Sequence, residues 1–278
     1  MDFRKEFVVE PGAKVHLSKI NPSHKGRYES HEQAAPDTTK NIQRMDKLQY
    51  LLYANVSQSL LVVLQALDAG GKDGTVRHLF SGMNPQGTCV FDFKQPSKEE
   101  LAHDFLWRAH MHTPAKGQVV IFNRSHYEDV LVVRVNNLVP QSVWSKRYEL
   151  ISDFEKMLSA NGTHVLKFYL HISPEEQLAR FAQRLDDPVR NWKISESDYS
   201  ERELWPQYVK AYEDAIALTS TKRAPWYVIP ANHKWFRDLA ISQIIADTME
   251  EMGLTLPPLQ VDLADIRRKY HAAVREVR

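Results

Sequence analysis

The apolar residues of this chain follow two kinds of pattern. Five short segments are rich in Leu, Val, Ile, Phe and Tyr, and they occupy residues 60–65, 88–93, 118–122, 163–172 and 225–230. Short apolar runs are typical of strands buried on both faces of a parallel sheet. The longer segments between them carry apolar residues at helical spacing. We therefore predict an α/β fold of three layers, in which a five-stranded parallel sheet lies between helices.

The two ends of the chain differ from this central pattern. Residues 1–37 contain scattered prolines, glycines and charges, and we expect them to form an extended N-terminal arm. Thr38 or Thr39 could then cap the first helix. After a final core helix, residues 254–278 contain Pro257 and Pro258 followed by a charged stretch, which predicts a helical C-terminal tail.

The first strand runs directly into a glycine-rich turn that holds one lysine. Residues 60–75 read LLVVLQALDAGGKDGT, and helical spacing begins at Thr75. Strand, glycine-rich turn and helix form the layout of a phosphate-binding loop. The glycines let backbone N–H groups close on an anion, and Lys72 and the helix N-terminus add positive charge. A tight turn with a solvated lysine is the alternative, but three glycines around one lysine favour the phosphate-binding loop.

This loop departs from the usual pattern G-x-x-x-x-G-K-[ST] in two places. Ala66 stands at the first glycine, and Asp73 stands where Ser or Thr is usual. Asp68 is a carboxylate suited to Mg²⁺, although it could instead cap the turn. Asp73 could either point to solvent or hold the loop.

Polar residues also follow the third strand. Ligands of parallel sheets bind beyond the carboxyl ends of the strands, so Asn123 and Arg124 are candidates for chemistry. Arg124 could contact a phosphate or pair with Glu128 four residues later. Glu128 and Asp129 are also favoured at a helix start by the helix dipole. His126 could be a packed turn residue or a ligand contact.

A basic segment lies between the fourth and fifth strands. Arg180 and Arg184 share one face of a predicted helix, and Arg190 and Lys193 follow in a polar stretch. Residues 174–205 could therefore form a mobile lid that closes over phosphates. A solvated helix of mixed charge is an equal alternative, because carboxylates are interleaved with these cations.

Composition limits the class of protein. The chain has 278 residues, of which 43% are hydrophobic and 26% charged, as in ordinary globular proteins. The net charge of +1 says nothing by itself about an anionic partner, and any basic surface must be local. We expect no nucleic-acid partner. Cys89 is the only cysteine, which excludes a disulfide framework and a Cys-based metal site. The sequence has no apolar signal core and no run of membrane-spanning length, so we expect a soluble, cytoplasmic protein that binds no membrane.

Four stretches of the chain resemble the family-2 polyphosphate kinases. They read LDAGGKDGT, FNRSHYEDVLVVRV, RLDDPVRNWK and APWYVIPAN, and the similarity covers most of the chain. The resemblance implies a P-loop kinase fold like that of thymidylate kinase, with a helical lid, in one domain of residues 1–278. It also implies Mg²⁺-dependent phosphoryl transfer between inorganic polyphosphate and a nucleotide, with Mn²⁺ as a substitute ion. We further expect a homo-oligomer, either a dimer or a tetramer.

The resemblance also assigns roles by position. Asp68, Lys72 and Arg124 would be catalytic, with Asp68 as the metal ligand. Residues of the loop and the lid would bind phosphates: Ala69, Gly70, Gly71, Lys72, Asp73, Gly74, Thr75, Arg180, Arg184, Arg190 and Lys193. Nucleotide contacts would come from Asn123, Arg124, His126, Glu128 and Asp129, in the form found in the subgroup that accepts both AMP and ADP. Many members have Asp at the position of Asn123, and an amide is a poorer Mg²⁺ ligand.

Two other functions are compatible with the same residues. One is an ATP-dependent kinase of a nucleotide or small metabolite on the same fold. The other is a regulator that uses the loop only to recognise a nucleotide. Mere recognition does not need Lys72, Asp68 and Arg124 to converge beside a basic segment, so we favour an enzyme over a regulator.

Overall fold

A computed structural model describes residues 2–276, and its centre is a six-stranded sheet. The strands are β1 (Val8–Val9), β2 (Ser59–Gln65), β3 (Thr88–Asp92), β4 (Val119–Asn123), β5 (Thr163–His171) and β6 (Trp226–Pro230). They lie in the order β1-β6-β5-β2-β4-β3. All five predicted strands are present and parallel, and only β1, which pairs with β6, is antiparallel. A strand of two residues has no recognisable apolar pattern, so the sequence did not predict it.

Helices cover both faces of this sheet, which confirms the predicted three layers. They are α1 (Phe3–Phe7), α2 (His31–Asn55), α3 (Lys72–Leu79), α4 (Lys98–Ala102), α5 (Trp107–Met111), α6 (Val132–Val135), α7 (Gln141–Ala160), α8 (Pro174–Asp186), α9 (Glu196–Glu203), α10 (Trp205–Thr219), α11 (Lys234–Glu251) and α12 (Leu263–Glu276). The core on one face includes residues of α2, α3 and α11, and the core on the other includes residues of α7 and α10.

Strand β2 shows why both faces need cover. All seven of its residues are buried. Leu60, Val62 and Leu64 belong to one core, whereas Leu61 and Val63 belong to the other. This alternation follows from the two-residue period of a strand. Burial on both faces places β2 in the middle of the sheet, so the loop that follows it lies at the centre of one edge.

The N-terminal region is more ordered than an extended arm. Helix α1 packs Phe3 and Phe7 against Phe236 of α11, with ring centroids 5.6 and 6.0 Å from that ring. A 3₁₀ turn at Leu17–Lys19 follows β1, and Leu17 is buried in the core. These contacts are between residues far apart in sequence, so local composition did not reveal them.

Helix α2 begins earlier than predicted. Its N-cap is Ser30, so the prediction that Thr38 or Thr39 caps it is wrong. Pro36 lies inside the helix and removes one backbone hydrogen-bond donor. Packing outweighs this loss, because Ala34 is fully buried in the core. Thr38 is a helix-interior residue whose hydroxyl donates to the Ala34 carbonyl at 3.1 Å.

The segments predicted as lid and tail contain helices. Helix α8, a 3₁₀ turn at Asn191–Lys193 and helix α9 occupy the predicted lid, and α12 occupies most of the predicted tail. Residues 277–278 of that tail lie outside the described residues. The division into arm, lid and tail remains a prediction. No helix within residues 2–276 is long and apolar enough to cross a membrane.

Candidate active site

The turn between β2 and α3 has the backbone of an anion-binding loop. Gly71 precedes α3 with φ +104°, a conformation that favours glycine, and Ala69 is also left-handed with φ +58°. The Thr75 amide donates to the Gly71 carbonyl at 3.0 Å. The amides of residues 72–74 therefore lie in the first turn of α3, where N–H groups have no partner within the helix. A helix start of this kind attracts anions.

Lys72 reaches back across this loop. Its Nζ donates to the Ala66 carbonyl at 2.9 Å, and its side chain is buried. Burial lowers the pKa of Lys72, and the neighbouring Arg124 acts in the same direction, whereas Asp68 opposes both. The loop thus holds an amine in its interior beside a second cation.

Two buried arginines lie behind the loop. Arg180 of α8 donates from Nη1 to the Ala69 carbonyl at 2.8 Å. Arg237 of α11 lies so close to Gly71 that a Cβ added there would be 2.0 Å from its Nη1. Asp238 accepts from Nε of Arg237 at 2.8 Å. The sequence placed Arg180 among the lid cations and did not single out Arg237, which lies in a helix without any motif.

Asp68 and Arg124 come from separate strand ends and meet beside the loop. Oδ1 of Asp68 is 3.4 Å from Nη2 of Arg124. The Arg124 amide donates to the Leu64 carbonyl of the neighbouring strand at 3.0 Å, which fixes the start of the turn after β4. Gln177 of α8 donates to the Asp68 carbonyl at 2.9 Å. Three elements therefore position this pair.

Asp73 links the loop to the predicted lid. Its Oδ1 accepts from Nδ2 of Asn123 at 3.0 Å, and its Oδ2 lies 3.0 Å from Nζ of Lys193. Burial alone would raise the pKa of Asp73, but the hydrogen bonds from Lys193 and Asn123 keep it below its ordinary value. The side chain of Asp73 is 66% exposed, and it also holds Asn123 and Lys193 in place, so the structure combines the two alternatives left open by the sequence.

Glu128 lies close to Arg124 and belongs to a polar cluster with Gln65 and Tyr212. Its Oε1 accepts from Nε2 of Gln65 at 3.0 Å, and the Tyr212 hydroxyl donates to Oε1 of the same glutamine at 3.1 Å. Burial raises the pKa of Glu128, and Arg124 limits the rise. Gln65 and Tyr212 were not predicted, because nothing in their local sequence indicates that they meet.

A cavity of about 210 Å³ opens beside the loop. Asp68, Arg124 and Glu128 line it from the sheet edge, and Trp205, Tyr208 and Tyr212 of α10 line it with aromatic surface. Helix α9 contributes Ser197 and Glu201. Charged groups on one wall and aromatic groups on the other suit a ligand that has both a phosphate and a flat ring.

Two predicted nucleotide contacts lie elsewhere. His126 is fully buried, with Nε2 3.3 Å from Oε1 of Glu155 in α7, and burial lowers its pKa. Asp129 pairs with Arg147 of α7 at 2.9 Å, and Arg108 lies 3.8 Å away. Both side chains face α7, and neither lines the cavity.

The remaining predicted lid cations differ in their contacts. Nη1 of Arg184 donates to the Lys193 carbonyl at 3.0 Å, so Arg184 supports the turn that carries Lys193. Arg190 is largely exposed and pairs with Asp187 at 2.9 Å. Two of the predicted lid cations therefore contact the loop, Lys193 through the Asp73 carboxylate and Arg180 through the Ala69 carbonyl.

A larger groove of about 570 Å³ lies between α2 and α11, away from this edge of the sheet. Its cations Arg27, Lys40 and Arg44 are interleaved with Asp37, Asp247 and Glu250. Arg44 is neutralised by Asp247 and Glu250, each at 2.6 Å. Size alone therefore does not identify the functional site.

The site can accommodate a metal only with help from a ligand. Within residues 2–276, no group of three or more His, Cys, Asp or Glu side chains could hold a metal ion. Mg²⁺ typically uses one or two carboxylates and completes its shell with water and phosphate oxygens. Asp68 lies at the cavity wall with 31% of its side chain exposed, so its carboxylate fits this role.

Comparisons with known proteins agree with this geometry. The family model described as Polyphosphate kinase 2 (PPK2) matches residues 28–256. The AMP/ADP-polyphosphate phosphotransferase of Meiothermus ruber is 51% identical over 254 residues, which cover 91% of this chain and 95% of that protein. The ADP-polyphosphate phosphotransferase of Rhodopseudomonas palustris is 44% identical over 265 residues, which cover 91% of this chain and 92% of that protein. The crystal structure of Polyphosphate Kinase 2 from Arthrobacter aurescens TC1 superposes with a TM-score of 0.93 at 37% identity, over 98% of this chain and 97% of that chain.

Proposed function

We propose that this chain, which belongs to the polyphosphate kinase 2 family, transfers phosphoryl groups between inorganic polyphosphate and both AMP and ADP. The observation that carries the proposal is the meeting of Lys72, Asp68 and Arg124 at the carboxyl ends of two adjacent strands. Two relatives are named for their substrates. The Meiothermus ruber protein is named for AMP/ADP and polyphosphate, and the Rhodopseudomonas palustris protein for ADP and polyphosphate. Family membership favours this function over an ATP-dependent kinase of a small metabolite.

The loop supplies the phosphate site. We infer that the first-turn amides of α3 and the Lys72 side chain contact the transferred phosphoryl group, in the loop formed by residues 69–75. A phosphoryl group in transfer carries charge on its peripheral oxygens, so fixed positive groups lower the barrier. Arg124, beside Asp68, would neutralise charge on the bridging or accepting oxygen.

A divalent metal is implied by phosphoryl transfer in this family, and we propose Mg²⁺, with Mn²⁺ as a substitute. Asp68 would hold it, with phosphate oxygens and water as the other ligands. When bound, such an ion supplies charge neutralisation between adjacent phosphates. Asn123 donates to Asp73, and we assign it to holding the loop and not to the metal.

The accepting nucleotide would lie in the cavity. We infer that Tyr208, Tyr212 and Trp205 contact its ring and that Glu128 and Arg124 contact its polar groups. The terminal phosphate of AMP or ADP is largely ionised near neutral pH, so its oxygen can attack without a general base. The chain then has to align donor and acceptor and to exclude water, which α9 and the Lys193 turn could do by closing over the loop.

The donor would extend over the basic lid. Lys193 and Arg190 lie beyond the loop, where further phosphates of a long polyanion would compete with their carboxylate partners Asp73 and Asp187. His126 and Asp129 are omitted from the proposed nucleotide site because they face α7. A cytoplasmic location and the absence of nucleic-acid partners stay predictions from the sequence.

The test uses purified full-length protein with Mg²⁺, polyphosphate as the sole phosphoryl donor, and AMP or ADP in separate reactions. The proposal expects ADP and ATP from AMP, and ATP from ADP, when nucleotides are separated by chromatography. A reaction without polyphosphate controls for exchange between nucleotides. Transfer that requires ATP as donor would support the ATP-dependent kinase instead, and transfer to ADP alone would restrict the acceptor.

A further inference from the structure

The N-terminal region crosses the carboxyl ends of β5 and β6. Nε2 of His171, the last residue of β5, donates to the Ile20 carbonyl at 3.1 Å. The backbone amide of Asn232, two residues after β6, donates to the Pro22 carbonyl at 3.0 Å. We call residues 20–23 the strap. The strap therefore lies against the same edge of the sheet as the phosphate loop, which follows the neighbouring strand β2.

The side chain of Asn232 joins the strap to the start of α8. Its Oδ1 accepts from the Ser173 amide at 3.0 Å, and its Nδ2 donates to the Ser23 hydroxyl at 2.8 Å. Because a backbone amide can only donate, the bond to Ser173 sets the orientation of the carboxamide. Ser173 is the N-cap of α8, and its hydroxyl accepts from the Glu176 amide at 3.2 Å. Asn232 thus fixes the residue at which α8 begins.

Helix α8 in turn holds two successive carbonyls of the phosphate loop. Gln177 donates from Nε2 to the Asp68 carbonyl at 2.9 Å, and Arg180 donates from Nη1 to the Ala69 carbonyl at 2.8 Å. Gln177 and Arg180 are both buried, and their spacing of three residues places them on one face of α8. A bond to a carbonyl orients the whole planar peptide unit. The position of α8 therefore sets where the Asp68 side chain and the amides that follow it point.

Arg180 also returns to the turn that carries Asn232. Its Nη2 donates to the carbonyls of Ala231 and Asn232 at 2.5 and 3.2 Å. Its Nε donates to Oε1 of Glu176 at 2.7 Å. All three nitrogens of this buried guanidinium therefore donate to protein oxygens, and they join the loop, α8 and the turn after β6.

The backbone of the loop needs such support. Ala69 has φ +58°, a left-handed conformation that costs a residue with a side chain free energy. A conformation of this kind persists only where surrounding contacts hold it. The bond from Arg180 is a contact of that kind, and it comes from a residue 111 positions away.

We propose that Asn232 is a positioning residue for phosphoryl transfer. It fixes the start of α8, and α8 then holds the carbonyls of Asp68 and Ala69. The inference rests on the proposed function, because it concerns the geometry of the same loop. Asn232 lies outside the residues that line the cavity, so it acts through α8 and not on the substrate. It is also the last residue of the stretch APWYVIPAN, to which the proposed site gives no other role.

The first test compares Asn232→Ala with Asn232→Asp in the formation of ATP from ADP and polyphosphate. The alanine variant loses the bond to Ser173 and should lower kcat by about 10- to 100-fold, since small displacements of reacting groups have effects of this size. KM for ADP and for polyphosphate should change little, because the charges of the loop remain. The aspartate variant keeps an acceptor for the Ser173 amide and should recover most of the rate.

Two kinetic results would overturn the proposal. One is a wild-type kcat in the folded alanine variant. The other is a rise in either KM with kcat unchanged, which would identify Asn232 as a ligand contact.

The second test asks whether Asn232 acts through Arg180. Changes at two residues of one hydrogen-bonded network are not additive. Asn232→Ala should therefore lower kcat much less in an Arg180→Ala background than in wild type. Equal losses in the two backgrounds would mean that the two residues act independently, and the link through α8 would be wrong.

The matched control is Gln58→Ala. Gln58 is also a half-buried amide that joins separate segments, since its Nε2 donates to the Met252 carbonyl at 3.0 Å and its Oε1 lies 2.7 Å from Nε2 of His164. It precedes β2 and so lies at the end of the sheet opposite the loop. Its replacement should lower the melting temperature and leave kcat unchanged. A loss of kcat as large as that of Asn232→Ala would show that general loosening of the fold is enough, which overturns the proposal.

A third measurement does not depend on activity. Hydrogen exchange, followed by mass spectrometry, should be faster in Asn232→Ala than in wild type for peptides that cover residues 66–75 and 173–181. The same peptides should exchange at the wild-type rate in Gln58→Ala. Unchanged exchange of the loop peptide in Asn232→Ala would overturn the proposal. If wild type transferred no phosphoryl group from polyphosphate, the proposed function would fail, and exchange would still decide whether Asn232 holds the loop.

Discussion

Nη1 of Arg237 occupies the space that a side chain on Gly71 would need, since a Cβ there would lie 2.0 Å from it. Gly71 also has φ +104°, which favours glycine. The loop and the buried arginine behind it are therefore fitted to each other. This relationship between a residue of the loop and a residue of α11 joins two segments 166 positions apart.

Gly71→Ala should lower both thermal stability and activity. A left-handed backbone costs a non-glycine residue about 1–2 kcal/mol, and the clash with Arg237 adds to that cost. Gly74→Ala is the matched control, because its Cβ would meet Arg237 at an ordinary 3.6 Å and helix α3 would gain a better helix former. Melting temperatures of the two variants measure the difference. Equal losses at both positions would contradict the fit between Gly71 and Arg237.

Lys72→Ala should nearly abolish turnover and leave the fold intact. Loss of one preorganised charge typically lowers the rate by about 10²–10³. The variant also removes the hydrogen bond to the Ala66 carbonyl, so circular dichroism and melting temperature must accompany the kinetics. A folded variant with near wild-type activity would show that Lys72 is not the phosphate lysine.

Asp68→Asn should strongly lower activity and weaken the dependence of activity on Mg²⁺. Asparagine keeps the size of the side chain and its ability to cap the turn, but it removes the charge that suits a metal. A titration of activity against Mg²⁺ concentration compares the two proteins. If the variant gave the same midpoint as wild type, Asp68 would have no place in the metal site.

Asp129→Asn should change how stability depends on pH. Burial raises the pKa of Asp129 to about 6, although Arg147 and Arg108 act in the opposite direction. A carboxyl group whose pKa is higher in the folded than in the unfolded chain stabilises the fold most below about pH 4, and this contribution is lost as the pH rises through about 6. The expected loss in wild type is on the order of 3 kcal/mol at most, and the variant lacks it.

The measurement for Asp129 is urea unfolding of both proteins at several pH values from 4 to 7. The free energy of unfolding of wild type, relative to the variant, should fall as the pH rises. Parallel pH profiles would mean that Asp129 titrates in the folded chain as it does in the unfolded one.

Arg184→Ala together with Lys193→Ala should raise KM for polyphosphate several-fold more than KM for the nucleotide. Lys193 reaches Asp73 of the loop, and Arg184 holds the carbonyl of Lys193. A long polyanion extends past the loop and depends on these charges, which salt screens over about 8 Å. Added salt should thus raise the wild-type KM for polyphosphate more steeply than that of the variant.

The control for the lid removes two cations elsewhere. Lys222 and Arg223 lie in the turn before β6, at the sheet end away from the loop. Their replacement by Ala should leave the ratio of the two KM values unchanged. Equal rises of both KM values in the lid variant would identify Arg184 and Lys193 as ordinary surface charges.

The sequence by itself determined the five parallel strands of the sheet and the loop at its centre. Apolar runs such as residues 163–172 predict buried strands because burial on both faces removes the need for polar alternation. The loop was predictable because glycines and Lys72 follow β2 within a few residues, so their geometry is a local matter. The convergence of Asp68 and Arg124 followed from a general rule, that parallel strands end at one edge.

Only the tertiary structure decided which charged residues face the site. Arg180 and Arg237 lie behind the loop, while His126 and Asp129 face α7, although all four had the residue types that a phosphate or nucleotide site uses. The direction of such a side chain depends on which distant element supplies its partner, which is Ala69 for Arg180, Glu155 for His126 and Arg147 for Asp129. Helix α2 likewise begins at His31 and not after Pro36, because burial of Ala34 in the core outweighs the hydrogen bond that Pro36 removes. Contacts between residues far apart in the chain carry no local pattern, and so they appear only when the chain is folded.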